Sequence, residues 1–440
     1  MMYIQYIESN KNDRIFLSKQ SLESKEIIYK NIVLHLGCWK KEVTVEYIEN
    51  FPSDTIGLSE KLTKNFILPT DLAYKVRFEG RNIYIGPIIG LLIVSKHRIL
   101  TLEFLDKYKP YLTYYNDING LVFIASSEGI NRENQTMKGY YYKPNGNVNW
   151  VEGTFPYPDS LYRRIGISGA KYDDLIKHMG DKIFNTYFFN KWELWECLYP
   201  YKQTRQHLPY TEVLTDVGVL DKVLSSYGTV YLKRISGQKS RGIYKVHKSE
   251  KGYHFIDRGK KEKILCNLEE VNKFIKKIKK QNGSYLIQQA IKIKNFENRS
   301  FDLRVVLQKD ESKGWGLTSM IARFGGSGGV ASNIGLDGFA MLGKDAIKKV
   351  FDMNEKEVFL KQQEIINICK TACETLDQSI GHYGDLGIDV VIDENQKIWI
   401  LEINKLHYHP YPIYALKDRQ MYYDIASKPL KYANALAGFN

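Results

Sequence analysis

Residues 384–404, GDLGIDVVIDENQKIWILEIN, constrain the fold more than any other stretch of the chain. Two runs of β-branched and apolar residues flank a polar turn, DENQ, and this pattern predicts an antiparallel hairpin. With Ile392 paired to Lys397 across the turn, Asp389 falls opposite Ile400. Period-2 alternation then puts Asp389, Ile400, Glu402 and Asn404 on one face and Trp399, Leu401 and Ile403 on the other. An aspartate and a glutamate on one face repel each other unless a cation lies between them. Hard oxygen donors of this kind suit Mg²⁺ that bridges substrate phosphates. The alternative, an edge hairpin with one wet polar side, fits less well because the surrounding residues are apolar.

A second stretch, GTVYLKRISGQKSRGI at 228–243, poses the matching question of where phosphate would sit. A P-loop needs a glycine at the position of Leu232, and no G-x-G-x-x-G occurs, so both of those phosphate motifs are excluded. What remains is a strand carrying Lys233, a loop from Ser236 to Gly242, and a second strand, GIYKVHK. Such a hairpin can close over a triphosphate. Backbone N–H groups near Gly237 and Gly242 would face the oxygens, with Lys233 and Lys239 or Arg241 supplying charge. By itself the stretch reads better as an ordinary basic hairpin turn; the carboxylate hairpin downstream favours phosphate.

Further polar residues lie between these two stretches. SYLIQQAIKI, 284–293, is a strand whose backbone and Gln288 can hydrogen-bond an adenine edge. FDLRVVL, 301–307, alternates so that Asp302 and Arg304 share a face opposite Phe301, Leu303 and Val305. A carboxylate there can hold ribose hydroxyls and an arginine can hold phosphate or carboxylate; a mutual Asp302–Arg304 salt bridge is the simpler alternative. Arg323 opens a glycine-rich loop, 324–338, in which Asn333 is the candidate site residue and a plain loop is the alternative.

At 440 residues the chain has room for two or three domains. The expected division is a small β-rich module over 1–78, a three-layer α/β domain over 79–187, and an α+β nucleotide- and metal-binding domain over 188–440. The net charge of +13 suits polyanions. Much of that charge lies on amphipathic helices such as 268–281, where Leu268, Val271, Ile275 and Ile278 form the buried stripe and the lysines face water. Without interleaved aromatics, that helix argues against nucleic acid. Five scattered cysteines without C-x-x-C spacing exclude a disulfide framework and a zinc knuckle, and Cys369 and Cys373 fit core packing. The first residues carry no apolar signal region, and the longest apolar run, 83–94, is too short for a membrane helix, so a cytosolic protein is expected.

In this order, the lysine strand with its loop, the 284–293 strand, the D-x-R strand and the Asp…Glu-x-Asn hairpin resemble the ATP-grasp superfamily. IGPIIG at 85–90, FPYPDSLYRRI at 155–165, NKWELWECL at 190–198 and GDLGIDVVID…WILEIN extend the resemblance to the YheC/YheD family of spore-coat-associated ATP-grasp proteins. The resemblance implies that Lys191 and Lys233 meet ATP phosphates. It makes Ser236, Gly237, Lys239, Ser240 and Gly242 the lid, and Gln288, Gln289, Ala290 and Ile291 the adenine hinge. Asp302 becomes the ribose partner; Asp389, Glu402 and Asn404 become ligands of two Mg²⁺ ions; Arg304, Arg323 and Asn333 line the phosphate and acceptor side.

The chain departs from the family pattern at Arg234 in place of proline, Ser240 in place of a lid glycine, Gln288 in place of glutamate, and KLHYHPYP after Asn404. There His407 and His409 are expected to line the substrate entrance or to pack. The resemblance implies an ATP- and Mg²⁺-dependent ligase that activates a carboxylate as an acyl phosphate for attack by an amine, on small-molecule or peptide substrates. A spore-coat structural or assembly protein with weak or lost catalysis, bound to other coat proteins, is the second expectation. DNA binding driven by charge alone is the third.

Overall fold

The computed structural model describes residues 1–24, 29–144, 148–167, 169–237, 242–257, 259, 261–326 and 338–439. These group into two compact units, one of residues 1–186, 309–314 and 423–440, the other of 187–308 and 315–422.

In the first unit, strands between Met2 and Gly86 close into a barrel. The alternation in IVLHL turns Ile32, Leu34 and Leu36 into the barrel core, and closure removes the unpaired edge that an open sheet would expose. Gly37 makes the turn after this strand at φ +60°, and a Cβ there would lie 2.2 Å from the Tyr157 carbonyl oxygen, so only glycine fits. The apolar run IYIGPIIGLLIV divides at Pro87: Asn82–Gly86 belongs to the barrel and Ile88–Val94 to a mixed six-stranded sheet. Proline lacks the N–H that one continuous strand would need there. Among the described residues, no helix is long and apolar enough to cross a membrane.

The second unit contains two sheets. In the first, the order along the sheet is Thr211–Val213, Tyr285–Gln289, Thr229–Arg234, Tyr244–Ser249, Gly252–Asp257 and Glu262–Leu265, all antiparallel. Val230, Leu232, Val246, Phe255 and Ile287 pack with the helices Val217–Tyr227 and Leu268–Asn282 on one face. By period 2, Lys233, Leu286 and Gln288 occupy the other face. The Leu268–Asn282 helix, capped by Asn267, buries Val271, Ile275 and Ile278. Leu268, expected in that stripe, is 43% exposed, because it is the first residue of the helix and precedes the turn that meets the sheet.

The other sheet runs Phe339–Leu342, Trp315–Phe324, Phe301–Lys309, Asp385–Ile392 and Ile398–Asn404. Phe301, Leu303, Val305 and Leu307 join Ile388, Val390 and Ile392 in a core that also takes Cys369 and Cys373, both fully buried, from the helix Glu355–Ser379. Asp302 and Arg304 therefore fall on the opposite face.

The hairpin register differs from the expected one. Ile392 pairs with Ile398, Val391 with Trp399 and Val390 with Ile400; after a slip, Asp389 pairs with Glu402 and Gly387 with Asn404. The turn is wider because Asp393 organises it: its N–H donates to the Lys397 carbonyl at 2.9 Å, and its carboxylate accepts from the N–H groups of Asn395 and Lys397. Strict alternation would put Ile400 and Glu402 on one face. Burying isoleucines such as Ile398, Ile400 and Ile403 is worth roughly 1.5–3 kcal/mol each. One extra residue, in a bulge at Leu401, lets all three reach the core while Glu402 and Asn404 stay on the open face.

Candidate active site

The open faces of the two sheets of the second unit meet at a cleft lined by Lys191, Thr211, Lys233, Gln288 and Glu402, with Leu194, Trp195, Leu208, Leu286 and Leu401 as its apolar wall. Lys191 is placed by a helix N-terminus. The Asn190 side chain accepts from the N–H groups of Trp192 (2.8 Å) and Glu193 (3.0 Å), and Glu193 accepts from the Asn190 N–H at 2.7 Å, closing a capping box. From this first helical position Lys191 Nζ donates to Glu402 Oε1 at 2.8 Å and reaches the Gly237 carbonyl at 3.4 Å. Lys233 Nζ donates to Gln288 Oε1 at 2.5 Å, and Gln288 Nε2 donates to Thr211 Oγ1 at 3.0 Å. Burial pushes the Lys233 pKa down to about 8, with Lys191 adding to the effect and Glu402 and Asp389 opposing it. The enclosed space is about 30 Å³, room on the order of one or two waters.

The expected adenine hinge is partly engaged within its own sheet: Gln289 N–H donates to the Tyr210 carbonyl at 2.9 Å and Ala290 N–H to the Thr229 carbonyl at 3.1 Å. Gln289 Oε1 also accepts from the Tyr210 N–H, at 3.2 Å. Ile291 follows just beyond the end of that strand. On the loop side, Ser236 and Gly237 are exposed, and Gly242 has φ +73°, where a Cβ would lie 2.9 Å from Arg234 Cδ. Lys239, Ser240 and Asn333, each expected at the site, lie outside the described residues.

Beside the cleft, four charged side chains interlock. Arg323 donates bidentately to Asp302, at 2.5 and 2.6 Å, and reaches Asp389 Oδ1 at 3.1 Å. Arg304 donates to both oxygens of Asp389, at 2.6 and 3.2 Å, and Asn404 Nδ2 lies 3.4 Å from Asp389 Oδ2. Asp302 thus pairs with Arg323 rather than with Arg304, its neighbour in sequence. Burial opposes both charges, yet Arg304 and Arg323 hold the Asp389 carboxyl below the usual range, and Asp389 with Asp302 holds Arg323 above its own.

Asp389, Glu402 and Asn404 share one face, with Asp389 directly opposite Glu402. Their present cationic partners are Arg304, Arg323 and Lys191. Two carboxylates and an amide side chain on one face supply the oxygen donor types that a hard divalent cation takes.

Several residues of this region were not legible as site residues. Asp385 is fully buried and receives His407 Nε2 at 2.7 Å, His409 Nε2 at 2.9 Å and Gln308 Nε2 at 2.8 Å. Burial opposes ionisation, but the two imidazoles hold its carboxyl well below the ordinary range. His407 and His409 are thus turned onto this carboxylate instead of an entrance. His407 covers Gly387, where a Cβ would approach its Cβ to 2.8 Å. The available signal was the D-x-G-x-D spacing, which by period 2 puts Asp385 on the face of Asp389. Thr211 and Asn190 carried no signal beyond their type.

Comparison with known proteins identifies the family. The pattern of the YheC/D like ATP-grasp family matches residues 180–436. The chain is 25% identical over 366 residues to the endospore coat-associated protein YheD of Bacillus subtilis, covering 80% of this chain and 79% of that one. It is 25% identical over 272 residues to the endospore coat-associated protein YheC of the same organism, covering 58% and 72%. Among solved structures, D-alanyl-alanine synthetase A from Vibrio cholerae superposes with a TM-score of 0.44 at 13% identity, covering 80% of this chain and 96% of that one.

Proposed function

This chain belongs to the YheC/D-like ATP-grasp family, and from that premise we propose that it is an ATP- and Mg²⁺-dependent ligase joining a carboxylate to an amine. The carboxylate is activated as an acyl phosphate, ADP leaves, and the amine then displaces phosphate; the substrates are small amino-acid-like molecules or peptides. One observation supports this most: Lys191, Lys233, Gln288 and Glu402 line a single cleft, with Asp389 opposite Glu402.

Asp389, Glu402 and Asn404 would hold Mg²⁺, which when bound screens the phosphate charge. Lys191 and Lys233 exchange their present acceptors, Glu402 and Gln288, for phosphate oxygens. Gln288 and the 289–291 backbone meet the adenine edge. Ser236, Gly237 and Gly242, at the described ends of the 236–242 loop, offer backbone N–H groups to the phosphates. Arg304 and Arg323 serve the transferring group and the acceptor. Asp302, expected at the ribose, has both oxygens on Arg323 and serves better to aim that guanidinium.

The chain is made in the cytoplasm in this reading, and the names of YheD and YheC, endospore coat-associated proteins, support a location at the spore coat with coat proteins as further partners. The test is thermal unfolding with Mg²⁺ plus ATP, with ADP, and with neither, beside Glu402→Ala. A ligand at a hundredfold excess over its dissociation constant stabilises by about 2.7 kcal/mol. A metal-dependent rise lost in the variant is the expected result. Its absence at millimolar nucleotide would transfer the proposal to a coat component without catalysis, a reading to which Arg234 and Ser240 point.

A further inference from the structure

A separate set of donor side chains lies on the outer strands of the sheet that carries Lys233. His247, on Tyr244–Ser249, sits directly opposite His254, on Gly252–Asp257, and their rings stack with centroids 4.5 Å apart at 14°. Glu262, on the next strand, pairs with Ile256, two residues along from His254, so period 2 puts all three on one face. The pairs Thr229–His247 and Tyr231–Lys245 make it the face of Lys233, with His247, His254 and Glu262 one, two and three strands further out. The opposite face supplies Val246, Phe255 and Leu265 to the core, so packing places no demand on these three polar residues.

One ligand atom from each of His247, His254 and Glu262 lies within 4.8 Å of the others. His254 Nδ1 is 2.7 Å from Glu262 Oε1, and its Nε2 is 2.7 Å from Ser249 Oγ, which holds the ring from the far side. Among the described residues, no hydrogen bond engages the His247 ring; it is half-buried. Hydrogen bonding alone accounts for His254 and Glu262 but not for the placement of His247.

We propose that His247, His254 and Glu262 form a binding site for one transition-metal ion of the Zn²⁺, Ni²⁺ or Cu²⁺ class. Two imidazole nitrogens and one carboxylate favour these ions over Mg²⁺. The ion lies between His254 Nδ1 and Glu262; the single proton of the neutral His254 ring then sits on Nε2, which donates to Ser249 Oγ. Antiparallel pairing of the three strands fixes the donor backbones beforehand, and the ion ties those strands together. The site is independent of the nucleotide reading.

The experiment is calorimetric titration of Zn²⁺ into the chelator-stripped full chain, with His247→Ala, His254→Ala and Glu262→Gln beside it. Saturable binding of one ion is expected, weakened at least about tenfold in each variant, together with a Zn²⁺-dependent rise in melting temperature that His247→Ala removes. Circular dichroism verifies folding; His247 and Glu262 are not core residues, so those two variants keep the test decisive should His254→Ala fail to fold. No binding by the wild type overturns the proposal. So does binding unchanged in both His247→Ala and Glu262→Gln, which would move the ion elsewhere, for instance to Asp385, His407 and His409. Mg²⁺–ATP titration into wild type and His247→Ala should give equal results, whether or not the nucleotide reading holds.

Discussion

Arg323→Met tests the charge arrangement beside the cleft most directly. The Arg323 side chain is 9% exposed and Asp302 6%, and their two hydrogen bonds at 2.5 and 2.6 Å form a desolvated bidentate pair. Methionine keeps the apolar stem but leaves Asp302 without its bidentate partner; Asp389 loses one of two guanidiniums and keeps Arg304. Removing one member of a buried pair costs about 3–5 kcal/mol, since the remaining charge has already lost its water. For a unit of this size each kcal/mol lowers the melting temperature by roughly 2–4 °C, which predicts a loss of about 6–20 °C. Calorimetry or circular dichroism would measure it. The deficit should shrink as the pH is lowered, because protonation removes the stranded charge. Arg323→Met/Asp302→Leu should recover much of the loss, since a matched apolar pair is often neutral relative to a buried ion pair. A single variant that melts within about 2 °C of wild type, or a double variant no better than the single one, would refute the reasoning.

Three more outcomes follow from the geometry. Lys233 binds phosphate as an ammonium, and in the free protein its pKa is about 8. Nucleotide affinity should therefore be level below pH 8 and fall by up to about tenfold per unit above it; titrations at pH 7 to 9.5 would show this, and Lys233→Ala should abolish the slope. Asp385→Asn should destabilise by about 3 kcal/mol near neutrality. Because the folded carboxyl is held low, the stabilisation is complete above the ordinary carboxylate value of about 4 and is lost as the pH falls below it, so wild type and variant should converge in acid. Asn190→Ala removes the cap that starts the Lys191 helix. It should cost about 1 kcal/mol in urea unfolding and weaken nucleotide binding, because Lys191 occupies the first helical position.

Much of this architecture could be read before any coordinates. The alternation in FDLRVVL places Phe301, Leu303 and Val305 in the core and Asp302 and Arg304 outside it, because side-chain direction in a strand follows sequence parity. The apolar spacing of 268–281 marks a helix that buries Val271, Ile275 and Ile278, with Leu268 left exposed at its start. Parity fails where one residue is inserted. Nothing local marks Leu401 as bulged; the slip follows from the competing demands of Ile400, Glu402 and Ile403 against the Asp385–Ile392 strand.

Sequence alone determined which residues carry charge, which runs form strands, and that Asp389, Glu402 and Asn404 belong to one hairpin. Only the tertiary structure decided the partners: Arg323 for Asp302, Asp385 for His407 and His409, Glu402 for Lys191. Pairing depends on through-space distance and on lost hydration, and both are set when segments up to 211 residues apart are packed together.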